Sequence, residues 1–291
     1  MAATRAIGIA GTSSAALAYA AGARVLGWSG EQPATTHTGG VVVPAPLATT
    51  LQAADGLIAA GGQQAFGWPL ITTSPVQELL RRFAQVGPVT ALSSRSTRPM
   101  PPDAGSVPAG VLFQSAHDHV ALTLLVARLT GMGTPTSVSA TAMSGAGGVD
   151  ESVDVSITFA GGLTAAVHAD WHSAGVVSRE FQLAGELGVL RSETDPRPAL
   201  EFNGGQVTLP AFRLREEQHR PLHEAGIIDM LKTIGAGFDS GALPHAFTMT
   251  FGREVLDVII AAYRSIADQR PVTLPFSGDR TATPAAMLAS S

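Results

Sequence analysis

The hydrophobic pattern changes period near the middle of the chain, and this change does most to limit the fold. From Ser137 to Leu209 apolar and polar residues alternate. Alternation sends every second side chain to one face, which suits a half-buried strand and not a helix. The segments 152–160, 163–172, 176–184 and 187–191 read as consecutive antiparallel strands joined by short glycine turns. The first part of the chain reads differently. Ala6 to Gly11 is a short apolar strand, followed by Gly-Thr-Ser-Ser and an alanine-rich helix ending near Gly22. Arg24 to Trp28 reads as the next strand, completing a β-α-β opening. Two more strands are expected at 41–43 and 55–60, around a short helix at Leu47–Gln52.

Ser74-Pro75-Val76-Gln77 predicts a helix start, with Ser74 as cap, Pro75 in the first turn and Gln77 closing a capping box. Val76, Leu79, Leu80 and Phe83 then share one face, and a strand follows from Pro88 to Leu92. Residues 98–109 are rich in Pro, Gly and Ser and read as a linker between two domains, 1–98 and 110–275. In the second, a helix from about His117 aligns Leu122, Leu125, Val126 and Leu129. Helices near 222–236 and 248–268 close it, the latter with Val255, Val258, Ile259 and Ala262 on one face. The small, polar tail 276–291 is expected to be disordered. The fold class is α/β plus α+β. A degenerate Rossmann-like domain precedes an open, mainly antiparallel sheet with helices on one face.

With 45% hydrophobic and 14% charged residues among 291, the chain has ample material for packed cores. The net charge of −5, and no Lys/Arg cluster longer than Arg81–Arg82, argue against a nucleic-acid partner. The absence of cysteine rules out disulfides, thiolate metal sites and a Cys nucleophile. MAATRAIGIAG has no signal-peptide pattern, and no apolar run reaches the ~20 residues of a membrane span. A cytoplasmic protein without a membrane partner is expected. Gly-x-Ser-x-Gly is absent, so nothing supports a hydrolase nucleophile elbow.

Three stretches carry a family resemblance: residues 67–98, beginning GWPLITT; REFQLAGELGVLRSE at 179–193; and LPHAFTMTFGREVLDVIIAAYRSIADQRPVTLP at 243–275. Together they resemble the glucose-fructose oxidoreductase/inositol dehydrogenase/MocA (Gfo/Idh/MocA) family. The resemblance implies a dinucleotide domain, a small-molecule substrate in a biosynthetic or sugar-modifying pathway, and a homodimer through the second sheet, with Thr164, Ala166 and the His168 row on the shared face. It also exposes departures. The family carries Glu-Lys-Pro, with its lysine beside the hydride-transfer site, where this chain has Gly67, Trp68 and Pro69. A dinucleotide turn wants Gly-x-Gly-x-x-Gly, and this chain has Gly11-Thr12-Ser13-Ser14-Ala15-Ala16. If a cofactor is retained, Gly11, Ser13 and Ser14 would hold it, with Glu31 beside the ribose position at Gly30. The family places a helix and a strand before Glu-Lys-Pro, where only residues 61–66 intervene here. The family's Asp and, four residues on, His are Gln114 and Asp118, flanked by His117 and His119.

His117, Asp118 and His119 are the catalytic candidates. A histidine titrates near neutral pH, and an adjacent carboxylate can fix its tautomer. Consecutive residues at a helix start diverge, so at most two can face one cleft. The competing reading makes them a solvated helix start with Asp118 on its positive end. His168, Asp170 and His172 share one strand face and either line a substrate cleft or form a solvated or dimer-facing surface. Their row is too linear for a closed metal site, so no metal is expected. Trp68 either stacks on a flat ligand across the cleft from residues 117–119 or is a core aromatic. Gln114 is a further substrate-binding candidate, and Arg179 is read as a sheet anchor. The lost lysine, altered glycine turn and shortened segment together favour an enzyme without a cofactor. It would do acid–base chemistry of lyase, isomerase or cyclase type on a small molecule. The alternatives are an NAD(P)-dependent oxidoreductase with a proton relay through His117 or Asp118, and a non-catalytic subunit or binding protein.

Overall fold

The computed structural model describes residues 6–10, 14–31, 40–100, 110–144, 149–171, 175, 177–210 and 217–289. The chain begins with β1 (Ala6–Ile9), α1 (Ser14–Val25), β2 (Ser29–Glu31), β3 (Val41–Pro44), α2 (Leu51–Ala59) and β4 (Gln64–Gly67). The four strands are parallel, in the order β2-β1-β3-β4. Ile7, Ile9, Val42, Val43, Ala65 and Phe66 are all buried, as in a parallel sheet covered on both faces. The chain leaves β2 and returns on the far side of β1, so the strand order reverses between β1 and β3. Such a reversal opens a crevice at the carboxyl ends of the strands, where open α/β sheets hold ligands.

Two expected strands are in fact helical. Arg24 and Val25 end α1, and the strand begins only at Ser29. Residues 55–59 belong to α2, which starts at Leu51 because the Thr50 hydroxyl accepts the Ala53 N–H at 3.1 Å. A short apolar run does not by itself distinguish strand from helix. The helix and strand thought missing before Trp68 are therefore present as α2 and β4.

After a 3-10 turn (Pro69–Thr72) come α3 (Ser74–Arg82) and β5 (Val89–Thr97). Thr73, not Ser74, is the cap residue of α3. Its hydroxyl donates to Leu70 O at 2.8 Å and the Gln77 amide donates to Ile71 O at 2.7 Å, so no capping box forms. A π turn (Leu112–Ala116) runs into α4 (His117–Leu129). Then follow β6 (Pro135–Ser144), β7 (Asp150–Phe159), β8 (Thr164–Asp170), β9 (Ser178–Gly185), β10 (Gly188–Asp195), β11 (Ala199–Phe202) and β12 (Gly205–Gln206). The chain closes with α5 (Arg220–Glu224), α6 (Ile227–Ser240), α7 (Met249–Asp268), β13 (Val272–Thr273) and α8 (Pro284–Leu288).

The second sheet has nine strands in the order β12-β11-β10-β9-β5-β8-β7-β6-β13. The expected meander is there, but β5 sits in its centre, antiparallel to β9 and parallel to β8. Residues 89–97 thus belong to the second sheet and not to the first domain. Their burial shows why: Leu92, Ser94 and Ser96 are buried while Ser93 and Arg95 are exposed, the pattern of a sheet covered on one face. Of the expected linker, residues 101–109 lie outside the described residues.

α7 joins the two units. Its Phe251, Val255, Leu256, Val258, Ile259 and Ile260 are all buried, because it packs on β6 and α4 on one side and on α2 and β4 on the other. A Cβ at Gly252 would lie 2.7 Å from the Phe66 ring, so only glycine lets α7 come this close to β4. The carboxyl-terminal segment is not the disordered tail expected of it. Phe276, Met287 and Leu288 are buried and hold it down. Arg280 pairs with Asp55 of α2, and its carbonyl accepts the Gln52 N–H at 3.0 Å. Arg253 of α7 bridges Asp55 at 2.9 Å and Asp257 at 3.1 Å, while Asp257 also accepts the Phe276 N–H at 3.1 Å. Among the described residues no helix is long and apolar enough to cross a membrane.

The Arg280 guanidinium, ahead of Arg253, holds the Asp55 carboxyl below the usual carboxylate range. Because Asp55 is partly exposed, Asp55→Ala is expected to cost only about 1 kcal/mol. That corresponds to a melting point lower by ~2–4 °C in low salt, with a smaller loss in high salt. Thermal melts at two salt concentrations check this, and an unchanged melting point at low salt would show that the network contributes nothing.

Candidate active site

The helix that carries the catalytic candidates is fixed by a buried carboxylate. Asp150, first residue of β7, accepts the Gly110 N–H at 3.1 Å and the Tyr263 O–H at 2.9 Å on Oδ1, and the Leu112 N–H at 2.9 Å on Oδ2. Burial pushes its carboxyl up, against the effect of these donors. A Cβ at Gly110 would lie 2.1 Å from the Asp150 carbonyl oxygen, so glycine is required there. The π turn then widens the helix by one residue, a feature common at functional sites. Within it Gln114 is half-buried, and the Ser115 hydroxyl accepts the Trp171 indole N–H at 3.0 Å.

His117 and Asp118 emerge together at the head of α4. His117 Nδ1 lies 3.0 Å from the Phe113 carbonyl, which can only accept, so this nitrogen carries a proton. Nε2 faces Asp118 Oδ1 at 3.2 Å. The approach is off the hydrogen-bond direction. Burial alone would raise the Asp118 carboxyl, but the facing His117 ring and the Arg179 charge outweigh it and hold it at about 2. His119 points the other way, into the protein, with 1% of its surface exposed and no hydrogen-bond partner for either ring nitrogen. Burial, then the Arg179 charge, lowers it to about 3, so it is neutral at physiological pH. Successive helix residues are turned by about 100°, and here His117 and Asp118 meet each other while His119 faces inward.

Across from them Trp68 is wholly buried, its indole N–H donating to Ala246 O and its ring 5.7 Å from Phe251. It is a core aromatic, and its placement does not fit the expected stacking on a ligand. The space beside Gly67 is taken by Tyr19, whose hydroxyl donates to Gly67 O at 3.0 Å. A Cβ at Gly67 would lie 2.9 Å from the Tyr19 ring. Burial, then the charge of Asp118, raises the Tyr19 phenol well above its usual range. Nothing local in the sequence pointed to Tyr19; its link to Gly67 spans 48 residues.

Arg179, read as a sheet anchor, lines a cavity of about 260 Å³ together with Pro69, Leu70, Thr73, Thr194 and Asp195. It stands directly opposite Ser96 in the β5–β9 pair, so both face the helix layer. Among the described residues its only direct partner is Asp195, at 3.6 Å. Gly11 and Ser13 lie outside the described residues. Ser14 begins α1 beyond the end of β1, and Glu31 ends β2 in register with Gly8. A helix start at the switch point, and an acidic position about 20 residues past the turn, are what a dinucleotide fold needs. The described backbone on either side of that turn, at Ser14 and Glu31, is compatible with such a cofactor.

His168 and Asp170 lie on the other face of the second sheet. Ser96 pairs with Ala169 on the buried side, whereas Arg95 pairs with His168 on the open side. His168 Nδ1 meets Asp154 Oδ1 at 2.8 Å. The pair lines a shallow hollow of about 380 Å³ with Arg95 and Glu180, apart from the crevice. His172 lies outside the described residues. A cleft shared by this row and residues 117–119 is thus ruled out by the pleat for His168 and Asp170. Among the described residues no three His, Asp or Glu side chains converge to hold a metal ion.

The depressed His119 predicts acid sensitivity with a definite sign. Its folded value of about 3 lies below the ~6.5 of an unfolded chain, so the unfolded state binds more protons between them. Stability is complete above that window and falls as pH is lowered through it. Between pH 7.5 and pH 5 a loss of about 2 kcal/mol is expected from this group. Denaturant titrations of the parent and of His119→Leu should differ in slope over this range. Equal slopes would place the acid sensitivity elsewhere.

Comparison with known protein families finds no match, and no curated protein matches the sequence. Solved structures do. GenD2 from gentamicin A biosynthesis, in complex with NAD, superposes with a TM-score of 0.70 at 16% identity, over 93% of this chain and 96% of that one. A myo-inositol dehydrogenase from Corynebacterium glutamicum ATCC 13032 gives 0.70 at 14%, over 93% and 99%. The WlbA dehydrogenase from Bordetella pertussis, in complex with NADH and UDP-GlcNAcA, gives 0.70 at 12%, over 94% and 99%. The expectation of a chain without a cofactor is corrected here: proteins alike over nearly the whole chain are seen with NAD or NADH, and the segment thought missing is in place. In fold, the chain resembles the Gfo/Idh/MocA dehydrogenases.

Proposed function

We propose that this protein is an NAD(P)-dependent oxidoreductase that interconverts a hydroxyl and a carbonyl on a small molecule, with His117 and Asp118 doing the proton transfer usually left to a lysine. The observation that carries this reading is the His117–Asp118 pair at the head of α4, a helix that packs against the turn following β4. Gly11, Ser13, Ser14 and Glu31 would hold the cofactor, which when bound supplies hydride acceptance and donation. His117 keeps one proton on Nδ1 against Phe113 and works through Nε2. In the oxidative direction Nε2 takes the hydroxyl proton; in the reductive direction it returns one to the carbonyl oxygen. Asp118, held ionised, orients the ring and stabilises its protonated form. Arg179, with donors to spare, orients the substrate in the cavity beside it.

Two measurements test this. Calorimetry should detect binding of NAD(H) or NADP(H) with micromolar affinity, and no binding of either would remove the proposal. His117→Asn is expected to lower turnover by ~10²-fold or more while leaving cofactor affinity and melting temperature unchanged. Full activity in that variant would mean the proton moves by another route.

We also propose a homodimer through the open face of the second sheet. That face presents small exposed residues, among them Ser93, Ser139, Ser156 and Ala166. Across them runs a row of charged and titratable groups in which Glu180 meets Arg191 at 2.7 Å and Asp154 meets His168 at 2.8 Å. Light scattering at micromolar concentration should return the dimer mass, and a monomer would remove this proposal.

A further inference from the structure

The helix layer over the second sheet contains a polar seam that the proposed chemistry does not use. His119 and Thr123 lie one turn apart on the inner side of α4, with 1% and 0% of their surfaces exposed. α4 packs over β5, whose Ser94 and Ser96 are also buried and face the helix layer. Among the described residues none of the three hydroxyls, and neither nitrogen of His119, has a hydrogen-bond partner. Four residues of helix rise about 6 Å and two residues of strand about 6.6 Å. The two pairs thus have similar spacing. At its crevice end stands Arg179, directly opposite Ser96 and close enough for its charge to act on His119.

Buried polar atoms are almost always paired, by protein or by water. A neutral imidazole offers one donor and one acceptor, and each hydroxyl offers both. That is the lining that buried water needs, two to four polar partners per molecule. We propose that the seam between α4 and β5 holds a short file of ordered water, and that His119 is a positioning residue that fixes this water against Arg179 and so holds the guanidinium in place beside the substrate. The water would give the Arg179 donors partners from within while the crevice is closed to solvent. His119 would then serve the reaction without touching the substrate. The role of His119 in turnover rests on the oxidoreductase reading; the water does not.

A crystal structure with NAD bound, at a resolution that places water, tests the seam directly. Water bonded to His119 and to at least two of the three hydroxyls is expected, whereas a dry seam, or direct bonds among the four side chains, overturns the proposal. The positioning role is tested by His119→Leu, which cannot hold water, against His119→Gln, which can. kcat should fall about tenfold in the first and recover in the second, with the KM for NAD unchanged in both. Equal turnover in the two variants overturns the positioning role. If His119→Leu does not fold, Thr123→Val against Thr123→Ser makes the same comparison. A parent protein that binds NAD but shows no turnover with it would sink the proposed function instead, and the crystallographic result would still decide the seam.

Discussion

The structure depends on one carboxylate with no access to water. Asp150 gathers two backbone N–H groups and a phenol, and in doing so it joins the start of β7, the turn at Gly110 and the long helix α7 at Tyr263. A buried acid left without donors would be costly, and donors left without the acid equally so. The three are therefore held as a unit. The π turn and the His117–Asp118 pair follow within eight residues of Gly110, and their position is inherited from this knot. The crevice is accordingly built on rigid elements, although the chain between residues 98 and 110 reads as a loose linker.

The other fixed feature is the contact of α7 with both units. A helix buried on nearly every side has no solvent face to give up, and Gly252 lets it lie against Phe66. The Asp55 network then ties the carboxyl-terminal segment to α2. The first sheet has only four strands, and part of its cover comes from helices that follow the second sheet in sequence. α6 packs on α1 where Gly22 meets Ile227 and Leu231.

What could be read from sequence followed from locality. The strands from β7 to β10 declare themselves by alternation, and α4 and α7 by helical spacing, because each pattern is contained in one segment. Short apolar runs misled: 24–28 and 55–60 carry strand-like composition, and the helix boundaries were set by a cap and a turn. The place of β5 was not legible, because sheet membership depends on partners 73 to 96 residues away. Asp118 and His117 were singled out from residue type and position, and the structure sets their side chains against each other. The same reasoning included His119, whose inward direction only the helix phase decides. Trp68 was singled out for replacing a lysine, yet its role is set by Ala246, 178 residues distant. Tyr19 was passed over for the matching reason, since its partner Gly67 is 48 residues away. The altered glycine turn was given too much weight, since a strand order and a helix start also make a dinucleotide site.

The central position of β5 has a consequence for the chain as a modular object. The polypeptide enters the second sheet at its middle strand, and only then builds the neighbours on either side. A cut at the apparent linker would leave the first fragment with an unpaired nine-residue strand and the second with a sheet split down the centre. Neither piece is an independent unit of inheritance. Recombination that exchanged cofactor and substrate modules at residue 98 would produce two incomplete proteins, and a viable crossover would have to fall before Val89.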